Sequence, residues 1–143
     1  MLNPEYIIGL VDGEGSFTVY VKNPKSSKNV KRRVRAEPRF YLKLVERDKA
    51  ILYALKNFFK CGNVYFQKDG RENRQNCYRY EVANRDDLQN IIVPFFKKYP
   101  PKIFSKRKDF NLFCKIMNGI KDGKHLTNSG LFELYIFKQE MHH

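Results

Sequence analysis

The chain predicts an α+β fold. Two-residue and 3.6-residue hydrophobic periods alternate along it in the order α-β-β-α-β-β-α-α, and no low-complexity linker divides its 143 residues. At 42% hydrophobic residues it has enough apolar material for one core, so residues 1–143 are read as a single domain. The α-β-β order occurs twice. Four antiparallel strands in one saddle-like sheet are the expected result, with helices on the face that carries Val19, Phe40 and Val82.

The elements follow in order. Asn3 is a candidate cap and Pro4 a first-turn proline for a helix over about Pro4 to Asp12, with Tyr6, Ile7, Leu10 and Val11 at helical spacing before the glycines of Asp12-Gly13-Glu14-Gly15. From Ser16 the period becomes two, with Phe17, Val19 and Val21 on one face and Ser16, Thr18, Tyr20 and Lys22 on the other. The second strand alternates Lys31, Arg33, Arg35, Glu37, Arg39, Tyr41 and Lys43 against Val34, Ala36, Phe40, Leu42 and Leu44. Arg32 and Pro38 interrupt its apolar face, so a bend, bulge or edge position is expected near each.

Asp48 is the expected N-cap of a helix whose apolar face is Ile51, Leu52, Leu55, Phe58 and Phe59, closed near Gly62. Val64 and Phe66, then Tyr78, Tyr80 and Val82, form a hairpin across the polar turn Lys68 to Asn76. A helix from about Asp86 to Lys98 breaks at Pro100-Pro101. Helices over Ser105 to Ile120 and Asn128 to Met141, joined by the turn Lys121 to Lys124, complete the order. Cys61, Cys77 and Cys114 lack metal-ligand spacing and are expected to be buried thiols, while His142 and His143 are assigned no role.

Charge narrows the partner. Lys and Arg exceed Asp and Glu by 28 to 15, a net +13 with a pI near 9.7, which points to a polyanion. Nucleic acid leads, because no long apolar span or basic amphipathic helix supports a membrane, and no signal peptide is read. Between Lys22 and Arg39 eight positions are basic (Lys22, Lys25, Lys28, Lys31, Arg32, Arg33, Arg35, Arg39) against the single acid Glu37. A basic ribbon of this kind can enter a major groove, where Arg and Lys read guanine edges and amides read adenine. Tyr65, Gln67, Lys68, Arg71, Arg74, Gln75, Arg79 and Glu81 extend the same surface, with a solvated, edge-protecting charge run as the plain alternative. Residue types with A- and T-rich codons abound, a hint of an organellar genome.

Chemistry has one strong candidate place, the string Tyr6 to Phe17. Gly9 and Gly13, four apart, clear one helix face for close approach by another helix. If the partner is the same helix of a second copy, two Glu14 carboxylates meet near a twofold axis, where paired carboxylates bind hard divalent cations such as Mg²⁺. The same string also fits a helix-to-strand turn with an exposed acid.

YIIGLVDGEGSF resembles the LAGLIDADG motif of homing endonucleases, with Ile8 to Gly15 standing for its core, and the element order resembles that family along most of the chain. The motif occurs once, which is similar to the homodimeric branch encoded by mobile introns or inteins, enzymes that cleave both strands of a long DNA target. The resemblance implies Glu14 as acidic metal ligand, Gly13 as a carbonyl ligand, and Mg²⁺ or Mn²⁺ as cofactor. It implies Asp12 as the motif's other acid, helping to end the helix, and Tyr6, Gly9, Leu10, Asp12 and Gly13 at the dimer seam. Glu46 matches the polar residue of the active-site water network, and Lys106, in a register shared with Lys108, matches the basic residue before the next-to-last helix. Both also fit a plain surface charge at a helix start. Double-stranded DNA and a second copy are the implied partners, with no membrane and no small-molecule substrate. An organelle (mitochondrion or chloroplast) or a bacterial cytoplasm is the implied place, not the secreted space. The rival reading is a non-catalytic RNA- or DNA-binding protein on the same scaffold, an intron maturase or a regulator.

Overall fold

The structure is a computed structural model that describes residues 2–26, 35–68 and 75–143. The expectations for Lys28, Lys31, Arg32, Arg33, Val34, Arg71 and Arg74 lie outside the described residues. Helix α1 (Pro4–Glu14) leads into strand β1 (Gly15–Val21), followed by β2 (Ala36–Val45), α2 (Lys49–Phe59), β3 (Asn63–Gln67) and β4 (Cys77–Val82). Then come α3 (Arg85–Asp87), a π-helical turn (Leu88–Ile92), α4 (Val93–Lys98), α5 (Phe104–Lys121) and α6 (Asn128–Gln139). The sheet order is β1-β2-β4-β3, with β4 antiparallel to both β2 and β3.

The chain forms two compact units. One is Met1–Ser16 with Arg39–Ile103, the other Phe17–Pro38 with Phe104–His143. In the first, Ile7, Ile8 and Val11 of α1, Phe40 and Leu42 of β2, Leu52, Leu55 and Phe59 of α2, and Tyr80 and Val82 of β4 are all buried. Aromatic rings organise that core. Phe40 meets Phe96 at 5.3 Å, Phe59 meets Phe95 edge-on at 5.1 Å, and the Tyr80 hydroxyl donates to the Cys61 carbonyl at 2.8 Å. In the second unit, Phe17, Val19 and Val21 are buried together with Phe110, Phe113, Ile116 and Leu134, and the Phe17 ring lies 5.0 Å from Phe110 and 5.5 Å from Phe113. The strict alternation of burial along β1 and through Ala36, Pro38, Phe40 and Leu42 of β2 is the two-residue period read from the sequence.

Several local expectations are corrected. Helix α1 continues through Asp12 to Glu14, since Gly13 keeps helical hydrogen bonding and the cap is Gly15, whose N–H donates to the Val11 carbonyl. Pro38 does not interrupt β2: it is buried within a continuous strand, and pairing with β4 begins only at Phe40, so on that side of β2 Pro38 occupies the edge position that was one of the expected alternatives. Asp48 makes no side-chain cap bond, because it ends a 3₁₀ turn (Glu46–Asp48) at φ −101°, ψ 7° instead of taking the extended conformation of a capping residue. Helix α2 closes at Lys60 in the left-handed region, not at Gly62.

Gly62, at φ +81°, instead lets β4 approach: a Cβ there would stand 2.8 Å from the Glu81 carbonyl oxygen. The π-helical turn before Pro94 is likewise unannounced by periodicity. The Val93 N–H donates to the Leu88 carbonyl, and this wider turn accommodates the proline ring without breaking the helix. The three cysteines form no disulfide and are only partly buried, which corrects the expectation of buried thiols. Partial burial nonetheless pushes the Cys61 thiol above its ordinary pKa. His142, which was assigned no role, satisfies the buried Asp109: its backbone N–H donates to Oδ1 at 2.8 Å and its Nδ1 lies 3.0 Å from Oδ2.

Candidate active site and nucleic-acid interface

The end of α1 sorts the two acids of the opening string by what each already holds. Both Asp12 carboxylate oxygens accept from the backbone N–H of Lys102, at 3.1 and 3.0 Å, and Oδ1 also accepts from Ile103 at 3.3 Å. Asp12 is therefore a capping acceptor for the chain just before α5 and does not terminate α1, as the sequence reading had it. Substituting Asp12→Ala strands two backbone donors, and a loss of about 0.5–2 kcal/mol in unfolding free energy is expected from denaturant midpoints.

Glu14 is placed differently. It is the last residue of α1, is exposed, and its side chain makes no hydrogen bond or ion pair among the described residues. A carboxylate at a helix C-terminus meets the negative end of the macrodipole, an unfavourable placement by about 0.3–1 kcal/mol that a bound cation reverses. The terminal carbonyls, that of Gly13 among them, add further oxygens, and an all-oxygen donor set suits a hard divalent ion. Glu14 thus offers one hard-oxygen donor of the kind a divalent metal takes, while no group of three or more His, Cys, Asp or Glu that could hold an ion gathers among the described residues of one copy.

On the same helix, Tyr6 is 47% exposed, and a Cβ built on Gly9 or Gly13 would meet nothing within 4 Å. Leu10 is half-buried. Glu46 begins the 3₁₀ turn after β2, is exposed, and its N–H donates to the Asn76 carbonyl at 2.9 Å. Lys106 belongs to the other unit, as the third residue of α5 instead of preceding it, and is half-buried, as is Lys108.

The non-core positions of the strands carry the expected polar set. In the first unit the rows Lys43–Arg79–Tyr65 and Tyr41–Glu81–Asn63 run across β2, β4 and β3. Arg39, Tyr41, Arg79 and Glu81 form one cluster there. Ser16 and Gln67 are half-exposed, and Lys68 and Gln75 are exposed. In the second unit Thr18, Tyr20, Lys22 and Glu37 alternate with the buried residues of β1 and β2, and Arg35 accepts the Lys22 N–H at its carbonyl, 2.8 Å. Lys25 is drawn aside, its ammonium 4.0 Å from the centre of the Phe132 ring of α6. The sequence reading missed Asn63. Stepping back by two from Gln67 and Tyr65 places its amide on the same face, so the signal was present.

A four-stranded antiparallel sheet whose non-core positions are polar and basic, reached from a helix that ends on an exposed carboxylate, is the α+β class of protein that the sequence predicted. Comparison with known proteins gives the family: the profile described as LAGLIDADG endonuclease matches residues 7–117, and the chain belongs to that family. It is 37% identical over 137 residues to "Probable intron-encoded endonuclease 2" of Neurospora crassa, covering 93% of this chain and 28% of that protein. It is 28% identical over 112 residues to "Homing endonuclease I-ApeII" of Aeropyrum pernix, covering 78% of this chain and 60% of that one. The crystal structure of the homing endonuclease I-TnaI superposes with a TM-score of 0.80 at 34% identity, over 99% of this chain and 89% of that chain. I-SmaMI bound to uncleaved DNA target in the presence of calcium ions superposes at 0.82 and 31%, over 99% of this chain and 45% of that chain. This chain therefore spans only part of the length of the curated relatives.

Proposed function

We propose that this chain is a site-specific, divalent-metal-dependent DNA endonuclease, encoded by a mobile intron or intein and working as a homodimer on a long pseudo-palindromic target. Residues 1–143 act in it as one endonuclease domain, both compact units included. The observation that carries the reading is Glu14: exposed, uncommitted among the described residues, and set at the negative end of α1 beside the Gly13 carbonyl. Family membership and relatives named as intron-encoded and homing endonucleases support it.

In this reading Gly9 and Gly13, with Tyr6, Leu10 and Asp12 around them, seat α1 against the α1 of a second copy, so that two Glu14 carboxylates and two Gly13 carbonyls would hold Mg²⁺ or Mn²⁺. When bound, such an ion would supply Lewis-acid stabilisation and lower the pKa of a water. The chain's own groups do the rest. Glu46 holds the attacking water and accepts its proton. Lys106 offsets the charge that grows on the phosphate as the phosphorus–oxygen bond to the leaving group breaks. The ten residues of β2, at about 3.3 Å each, follow roughly one DNA turn, so two copies read roughly twenty base pairs.

The relatives' intron-encoded names and the residue composition favour an organelle or a bacterial cytoplasm as the place of action. Incubation with long DNA carrying the target tests the activity: cutting of both strands is expected with Mg²⁺ and none after chelation. Affinity is expected to fall by roughly 10³-fold or more between about 50 and 200 mM salt, since phosphate contacts dominate binding. Binding without cutting in Mg²⁺ would instead mark a maturase or regulator.

A further inference from the structure

The polar face of β2 and β4 holds a charge cluster that is more ordered than a DNA-binding surface requires. Arg79 lies with its guanidinium carbon 3.6 Å from the centre of the Tyr41 ring, across a diagonal of the antiparallel ladder. Its Nη2 meets the Glu81 Oε1 at 2.8 Å, and the same oxygen lies 3.6 Å from Arg39 Nη1. On a face meant for solvent or DNA, the Glu81 side chain is only 15% exposed and that of Arg79 only 20%. The Arg79 Nε is buried and lacks a hydrogen-bond partner among the described residues. A guanidinium stacked on one side and clamped by a carboxylate is poorly arranged as a diffuse phosphate contact, and with Nε buried its Nη1–Nη2 end is the part left to face a ligand. Its plane and position are fixed before any ligand arrives, which lowers the entropic cost of a directional contact.

We propose that Arg79 is the specificity-determining reader of one guanine in each half-site, and that Glu81 and Tyr41 are positioning residues that hold its fork. The guanine O6 and N7 present the paired acceptors that such a fork fits. Glu81 has a second consequence. By neutralising one of two neighbouring arginines it holds down the sequence-independent attraction of this patch for phosphate. The proposal rests on the endonuclease reading, and the experiment separates the two.

Bound and cleaved sequences are selected from a randomised DNA library with the wild-type chain and with Arg79→Ala, Glu81→Gln, Tyr41→Val and Tyr41→Phe. Arg79→Ala is expected to lower the preference for guanine at one base pair per half-site by roughly tenfold to a hundredfold, leaving the other positions unchanged. Glu81→Gln is expected to relax the same base pair while binding to random DNA tightens and becomes more salt-sensitive. Tyr41→Val relaxes it too, and Tyr41→Phe, which keeps the aromatic face, restores it. Circular dichroism on each variant confirms the fold, and the conservative Tyr41→Phe and Glu81→Gln carry the test if Arg79→Ala unfolds. An unchanged profile in Arg79→Ala, or a Glu81→Gln effect at a different base pair, overturns the proposal alone. A wild-type chain that selects no sequence overturns it together with the endonuclease reading.

Discussion

Glu14→Gln is expected to remove DNA cleavage by roughly a thousandfold or more while leaving target affinity within a few fold. The substitution keeps the shape of the side chain and deletes the charge that recruits a hard cation, and Lewis-acid stabilisation of a phosphate transition state is worth several kcal/mol, each 1.36 kcal/mol being about a factor of ten in rate. The stability change has the opposite sign. An exposed carboxylate at the last position of α1 opposes the helix dipole, so its neutralisation is expected to raise unfolding free energy by about 0.3–1 kcal/mol. A variant more stable than the wild type and inactive at saturating Mg²⁺ identifies a residue kept for chemistry. Single-turnover cleavage, electrophoretic mobility and thermal denaturation on one preparation measure all three quantities. Full activity of Glu14→Gln would contradict the metal assignment.

Gly9→Leu is expected to separate folding from assembly. Within one copy a Cβ at this position meets no other part of the described structure within 4 Å, and replacing an exposed helical glycine gains about 0.5–1 kcal/mol. In the proposed homodimer it would fill the space through which two α1 helices approach more closely than the usual 8–10 Å or so. Sedimentation is therefore expected to show a well-folded monomer at concentrations where the wild type is a dimer, and cutting of both strands is expected to fail. Gly9→Ala should fall between. An unchanged dimer that still cuts would place the seam elsewhere, and a wild-type chain that is monomeric at micromolar concentration would contradict the homodimer.

Much of this was legible in the sequence, and the parts that were not share a cause. The order of elements, the burial of Phe17 and Val19 in one unit and of Phe40 and Val82 in the other, and the place of Glu14 beside the end of α1 follow from periodicity and turn residues, which are local signals. What escaped depends on partners distant in sequence. Which of a bend, a bulge or an edge Pro38 marks is decided only once pairing with β4 is seen to start at Phe40, and Asp12 reads as a helix terminator until Lys102, ninety residues on, is found in its grasp. Asp48 has the chemistry of a cap but not its backbone angles. The clamp on Arg79 needed the register of β2 against β4, which places Tyr41 opposite Glu81 and Lys43 opposite Arg79. Alternation names the face on which a residue lies. It does not say which neighbours across the ladder touch.

The most direct measurement is the sequencing of cleavage products that the wild-type chain selects from a randomised double-stranded DNA library in Mg²⁺. The expected result is a single pseudo-palindromic site of roughly twenty base pairs, cut on both strands and only when the divalent ion is present. Enrichment of bound sequences with no cut ends, or breaks scattered without a common sequence, would contradict a site-specific endonuclease built around Glu14.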